Sequence, residues 1–138
     1  EPMAARLLAE SGNTEAYDEL ERMLDEDLPE GWRSGRLAEA TANFHLRMVQ
    51  LSGNATLGII AGMLHEITVR HTEFVFRESR PVSKADYDKL MRSYRRLLQL
   101  VRSGDGAATE AHWRKHLDVA HSLMLEGVEN VKVRDVMG

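Results

Sequence analysis

Cysteine is missing from all 138 residues, which removes disulfide stapling and thiolate metal sites at once. Proline is scarce at 3 residues and glycine stands at 10, so the chain is neither collagen-like nor a Pro/Gly-rich disordered segment. Aromatic residues make up 6%, few for a stacking surface on a nucleic-acid strand. A net charge of -4 likewise argues against this chain as a main nucleic-acid contact. No run approaches the roughly 20 apolar residues that span a bilayer, and no basic-then-apolar leader opens the sequence. Nucleophile elbows and Gly-rich phosphate loops are absent too. What is present is 43% hydrophobic residues to fill a core and 29% charged residues to solvate the outside. This reads as one soluble, cytoplasmic, non-catalytic domain spanning residues 1–138. The opening Glu1, in place of Met, raises the expectation of a longer protein around it.

Turn signals are few: Ser11-Gly12-Asn13, Asp27 through Gly31, Ser52-Gly53-Asn54, Ser79-Arg80-Pro81 and Ser103 through Gly106. Between them lie segments rich in Leu, Ala, Glu, Arg and Met, the good helix formers. Pro2 suits a first helical turn, and Ser83 with Asp86 makes a capping box. The expected helices are 2–11, 14–26, 33–51, 55–79, 84–102 and 106–128. With no convincing period-2 alternation, the fold class is all-α, an antiparallel bundle of about six helices.

Helical periodicity assigns inward faces. The third helix offers Leu37, Thr41, Phe44, His45 and Met48, and the fourth Leu57, Ile60, Leu64, Ile67, His71 and Phe74. The fifth offers Tyr87, Leu90, Met91, Tyr94, Leu97, Leu98 and Val101, and the sixth Ala108, His112, His116, Val119 and Leu123. Thr41, His45, His71, Tyr94, His112 and His116 interrupt these stripes where a plain bundle carries Leu or Ile. A lone inward histidine is commonly a hydrogen-bonded core residue, and His65 and His121 fall off the stripes as surface residues. Four helices contributing polar groups together, however, imply a polar cavity, because each unsatisfied buried group costs about 1–3 kcal/mol. Charge is segregated as well. Nine acids lie between Glu10 and Glu30 against Arg22, and nine Lys/Arg between Arg70 and Arg102 against four acids. The favoured reading pairs an acidic helix with a basic one. The other is a basic rim with Arg70 steering an anionic ligand inward. His112 and His116, at i and i+4, could share a metal. The rival reading of the chain is therefore a helical-bundle metalloprotein or metalloenzyme using His45, His112 and His116, against which stands the lack of an inward Glu/Asp set.

Phe44-His45, then Leu51-Ser52-Gly53-Asn54 and Leu57, resemble the "D-x-x-F-H … S-G-N-x-x-L" signature of the FCD effector domain, the C-terminal half of FadR-type GntR transcription regulators. The stretch from Tyr94 through Ser103-Gly104-Asp105, Ala111, Trp113 and His116-Leu117 is similar to that family's later block, and Glu1 through Leu7 to its first effector-domain helix. The resemblance implies a bundle of six or seven helices with a ligand cavity, often built over a divalent metal held by one Asp and three His. Carried onto this chain, those positions are Thr41, His45, Tyr94 and His116. Thr41 replaces the Asp and Tyr94 one His, so His45 and His116 remain as metal ligands, with His112 or His71 as candidates for a third. Without a metal, the resemblance implies that Thr41, His45, Tyr94 and His116 bind a small anionic effector, an organic acid or acyl-CoA-like molecule, and the basic rim adds Arg70 to that ligand-binding set. Ile60, Leu64, Leu97, Met91 and Met48 would then enclose its tail. It also implies a homodimer, and a winged-helix DNA-binding domain lying outside this chain.

Overall fold

A computed structural model describes residues 1–76 and 82–120. Helix α1 spans Pro2–Ser11 and α2 Thr14–Arg22, where the Asn13 side chain accepts from the Ala16 N–H. A π-helical turn over Met23–Asp27 continues without a break into α3, Leu28–Ser34. Helices α4 (Leu37–Leu51), α5 (Ala55–Phe74) and α6 (Lys84–Ser103) follow, and α7 covers residues 106–120. The described residues hold no strand. The expected capping box at Ser83 and Asp86 is formed in both directions. Between α4 and α5, Gly53 takes a left-handed φ of 86° and Asn54 accepts from the Leu57 N–H, which makes the helix–helix corner that Ser52-Gly53-Asn54 signals.

One expected turn is helix instead. Asp27 through Gly31 read as a break, yet Pro29 is helical, directly after the π-helical turn. Gly31 is then inside the helix. A Cβ there would stand 2.8 Å from the Ala40 Cβ and 3.1 Å from the Arg36 carbonyl oxygen, so the glycine permits close approach of α3 to α4. The chain actually turns at Gly35, with φ of 78°, and α4 begins at Leu37 rather than at 33. The Ser79-Arg80-Pro81 signal, the end of the 55–79 helix, the stretch of the last helix beyond 120, His121 and Leu123 lie outside the described residues.

The core joins Leu8 of α1, Leu20 of α2, Leu24 and Leu28 around the π turn, Phe44 and Met48 of α4, and Leu97 and Val101 of α6. Each such side chain stabilises the fold by about 1.5–3 kcal/mol when fully buried. Charge segregation resolves as the pairing of two helices: Arg102 of α6 bridges Asp18 and Glu21, and Arg95 reaches Asp25. Half-exposed pairs like these contribute about 0–1 kcal/mol each. Arg95 also donates to the Leu24 carbonyl oxygen at 3.4 Å, within the widened turn.

Two of the expected inward stripes need correction. Helix α5 packs chiefly against α4, and Ile60, Leu64 and Ile67 are 48%, 51% and 66% exposed, with His71 at the surface. Because α5 is apolar on more than one side, periodicity alone cannot say which side faces the core. In α7 the buried line is Thr109 and Trp113, while Val119 is exposed. His112 and His116 flank that line, half-buried.

Candidate functional site

Phe44, His45, Tyr94, Trp113 and His116 form one contiguous ring cluster between α4, α6 and α7. Trp113 and His116, three residues apart on α7, stack face to face with centroids 4.3 Å apart. The polar interior expected from the sequence is thus largely filled by side chains.

Hydrogen bonds order this cluster. The Glu1 carboxylate lies 3.2 Å from His45 Nδ1, and His45 Nε2 lies 3.0 Å from the Tyr94 hydroxyl. A carboxylate can only accept, so Nδ1 carries the proton, and in the neutral ring Nε2 accepts from the Tyr94 hydroxyl. One directed chain results: Tyr94 donates to His45, which donates to Glu1. Burial, with some help from the Glu1 charge, pushes the Tyr94 pKa upward, so the phenol stays a donor. Burial opposes the charge on Glu1 too. Its hydrogen bond with His45, and the His45 charge whenever that ring is protonated, outweigh that, with a smaller contribution from the Trp113 N–H, and hold the carboxyl below its usual range. Trp113 Nε1 is fully buried near the Glu1 carboxylate, yet among the described residues it reaches no acceptor at hydrogen-bonding geometry.

On the other side of the cluster, Ser93 Oγ and His116 Nδ1 are 2.7 Å apart. Burial first, then the neighbouring His45 and His112, push the His116 pKa down to about 3. His116 is therefore neutral at pH 7. His112 Nε2 donates to the Ser93 carbonyl oxygen at 2.9 Å.

His45, Tyr94 and His116 are brought together as expected, and the other expected site residues are not. Thr41 is buried, but its hydroxyl donates to the Ala38 carbonyl within its own helix, at 2.9 Å. Arg70 does not reach inward: its guanidinium pairs with Glu66 one turn away, and both side chains are 76% exposed. His71 lies on the exposed surface of α5, away from any third-ligand position. The donor set fits the family's metal poorly. Thr41 and Tyr94 offer protonated hydroxyls, His112 is committed to a backbone carbonyl, and the described residues include no group of three or more His, Asp or Glu arranged around a common point. This also undercuts the reading that His45, His112 and His116 hold a metal jointly.

Open space adjoins the cluster on the Glu1 side. A cleft of about 230 Å³ runs between α1, α4 and α5, with Glu1 and His45 at its polar end. Val49, Leu57, Ile60 and Leu64 supply its apolar walls, and His65 and Thr68 face it from α5. Ile60 and Leu64 thus line a cleft, whereas Met48 and Leu97 are packed in the core. His65, read as a surface residue, belongs to this wall. Sequence reasoning missed Glu1, Ser93 and Trp113. Glu1 meets its partner 44 residues away, a contact no local pattern announces.

The FCD domain family matches residues 1–119. No curated protein and no solved structure matches the chain.

Proposed function

Because the chain belongs to the FCD domain family, the regulatory, effector-binding domains of GntR-type regulators, we propose that it senses a small organic carboxylate in the cleft between α1, α4 and α5. The observation that carries this reading is the ordered Tyr94–His45–Glu1 chain opening onto an apolar cleft. His45 supplies the donor to the ligand's carboxylate, Tyr94 fixes that donor's tautomer, and His116 packs the wall behind it. Thr41 and Arg70 stand outside this arrangement. Ligand pockets commonly run about 300–1,000 Å³. At about 230 Å³ this cleft favours a short organic acid over an acyl-CoA.

Sensing then works by population shift. The ligand prefers one arrangement of α1, α4 and α5, and a coupling of about 1–3 kcal/mol changes the affinity of a linked site 5–150-fold. In the proposed regulator that linked site is a winged-helix DNA-binding domain elsewhere in a longer, cytoplasmic protein. A homodimer would carry the change to two such domains, and the exposed apolar side of α5 is the surface offered for it.

Thermal unfolding against a panel of short carboxylates tests the sensor. A ligand at 100 times its Kd adds about 2.7 kcal/mol, a clear rise in Tm. Tyr94→Phe removes the hydroxyl that orients His45 and should weaken binding about tenfold, with the helical circular dichroism unchanged. Equal affinities for wild type and Tyr94→Phe would move the binding site elsewhere.

A further inference from the structure

Glu1 precedes α1 at its N-cap position, yet its side chain makes no capping bond to its own helix. An N-cap side chain ordinarily accepts from the N–H groups of the following turn. Here it reaches across to α4 and sits on His45 Nδ1 at 3.2 Å. Glu1 and His45 line the same cleft, and the other nitrogen of His45 is already engaged by Tyr94. Any carboxylate arriving from the cleft therefore meets a donor that is already taken.

We propose that the Glu1 carboxylate is an internal stand-in for the ligand's own, and that binding proceeds by exchange: the external carboxylate takes His45 and Glu1 swings away. This rests on the reading of the cleft as a carboxylate site. Three observations favour exchange over addition. His116 is held neutral and bonded to Ser93, so His45 is the one imidazole of the cluster placed to face the anion. Two carboxylates on one imidazole would repel each other. Second, the buried Trp113 N–H lies near enough to the Glu1 carboxylate to help lower its pKa, yet among the described residues it reaches no acceptor at hydrogen-bonding geometry, and its indole packs against the His45 ring with centroids 5.1 Å apart. An incoming carboxylate, free of the tether that fixes Glu1, can take His45 with one oxygen and the Trp113 N–H with the other. Third, the displaced Glu1 side chain, already 33% exposed, has a place to go: the open N–H groups of the first turn of α1. Exchange thus converts a contact between α1 and α4 into a cap on α1 and releases α1 from the cluster.

Glu1→Gln separates the possibilities, with butanoate and hexanoate as probes and the matching alcohols as controls. Calorimetry on the 138-residue chain should show either acid binding Glu1→Gln about threefold or more tightly than wild type, since a neutral amide competes less well for the His45 donor. The alcohols should bind neither protein. In nitrogen-15 NMR the Trp113 indole N–H, assigned with a Trp32→Phe variant, should move downfield as acid is added to wild type. Equal or weaker binding by Glu1→Gln overturns the exchange while leaving the cleft as a ligand site. Binding that leaves the Trp113 resonance unmoved also overturns it and places the acid elsewhere. If neither protein binds either acid, the carboxylate reading of the cleft fails and the exchange fails with it.

Discussion

The histidines of the cluster illustrate how one residue type takes two roles by environment. His45 faces a carboxylate and a phenol, whereas His116 is packed on Trp113 and bonded to a neutral serine. Burial leaves His116 with a pKa of about 3, against about 6.5 in an unfolded chain. Between those values an unfolded chain binds a proton that the folded one refuses. The stability contributed by neutral His116 is thus complete above pH 6.5 and declines as pH falls toward 3. From pH 7 to pH 5 this single group should cost about 1–2 kcal/mol. Urea unfolding of wild type and His116→Asn at both pH values measures it, since Asn cannot titrate and still offers a partner to Ser93. A pH effect of equal size in both proteins would remove His116 as its source.

At the scale of elements, two glycines inside helices make opposite predictions. Gly31 of α3 has Ala40 and the Arg36 carbonyl against it, whereas Gly62 of α5 has no atom of the described residues within 4 Å of where a Cβ would stand. Gly31→Ala should destabilise by about 1–2 kcal/mol, overpacking outweighing the gain in helix propensity. Gly62→Ala should stabilise by about 0.5–1 kcal/mol, since only propensity changes. Denaturant midpoints for the two variants decide this, and a stabilising Gly31→Ala would refute the tight α3–α4 approach. The same glycine shows what a sequence displays and what it hides. Caps at Asn13, Asn54 and Ser83 are local chemistry, and they mark helix starts directly. Pro29-Glu30-Gly31 looks like a turn because the close neighbour its glycine makes room for, Ala40, lies on another helix. Likewise the α6 stripe is legible, being polar on its other side, whereas α5 is apolar on several. The cluster was half legible: His45, Tyr94 and His116 follow from periodicity, but Glu1 and Trp113 join it only through tertiary contacts.

For the whole molecule, the outer side of α5 is the surface that bears on assembly. Ile59, Met63 and Ile67, spaced four apart, are 65%, 76% and 66% exposed, and α5 rests chiefly on α4. A continuous apolar stripe of this kind is unusual on a monomer's surface. The adjoining Glu66 and Arg70 pair with each other, so the face presents little net charge, and a second copy approaching about a two-fold axis meets no like-charge barrier. The stripe is also separate from the cleft, whose walls are Ile60 and Leu64 on the neighbouring row of α5. Self-association there would press on the helix that forms one wall of the ligand site, linking the two proposed functions through a single element. The proposed dimer has a mass of about 31 kDa, twice the 15.6 kDa chain, and needs about 800 Å² of surface from each partner. Met63→Glu with Ile67→Glu should abolish it, because four carboxylates would be buried across the two-fold without partners. In a monomer those same carboxylates are solvated, so stability at high dilution should change by no more than about 0.5 kcal/mol per site. Sedimentation velocity over a concentration series should therefore show wild type shifting from monomer to dimer while the double variant stays monomeric with the same helical signal. A wild type that remains monomeric at the highest concentration, or a double variant that still dimerises, would take the interface off this side of α5.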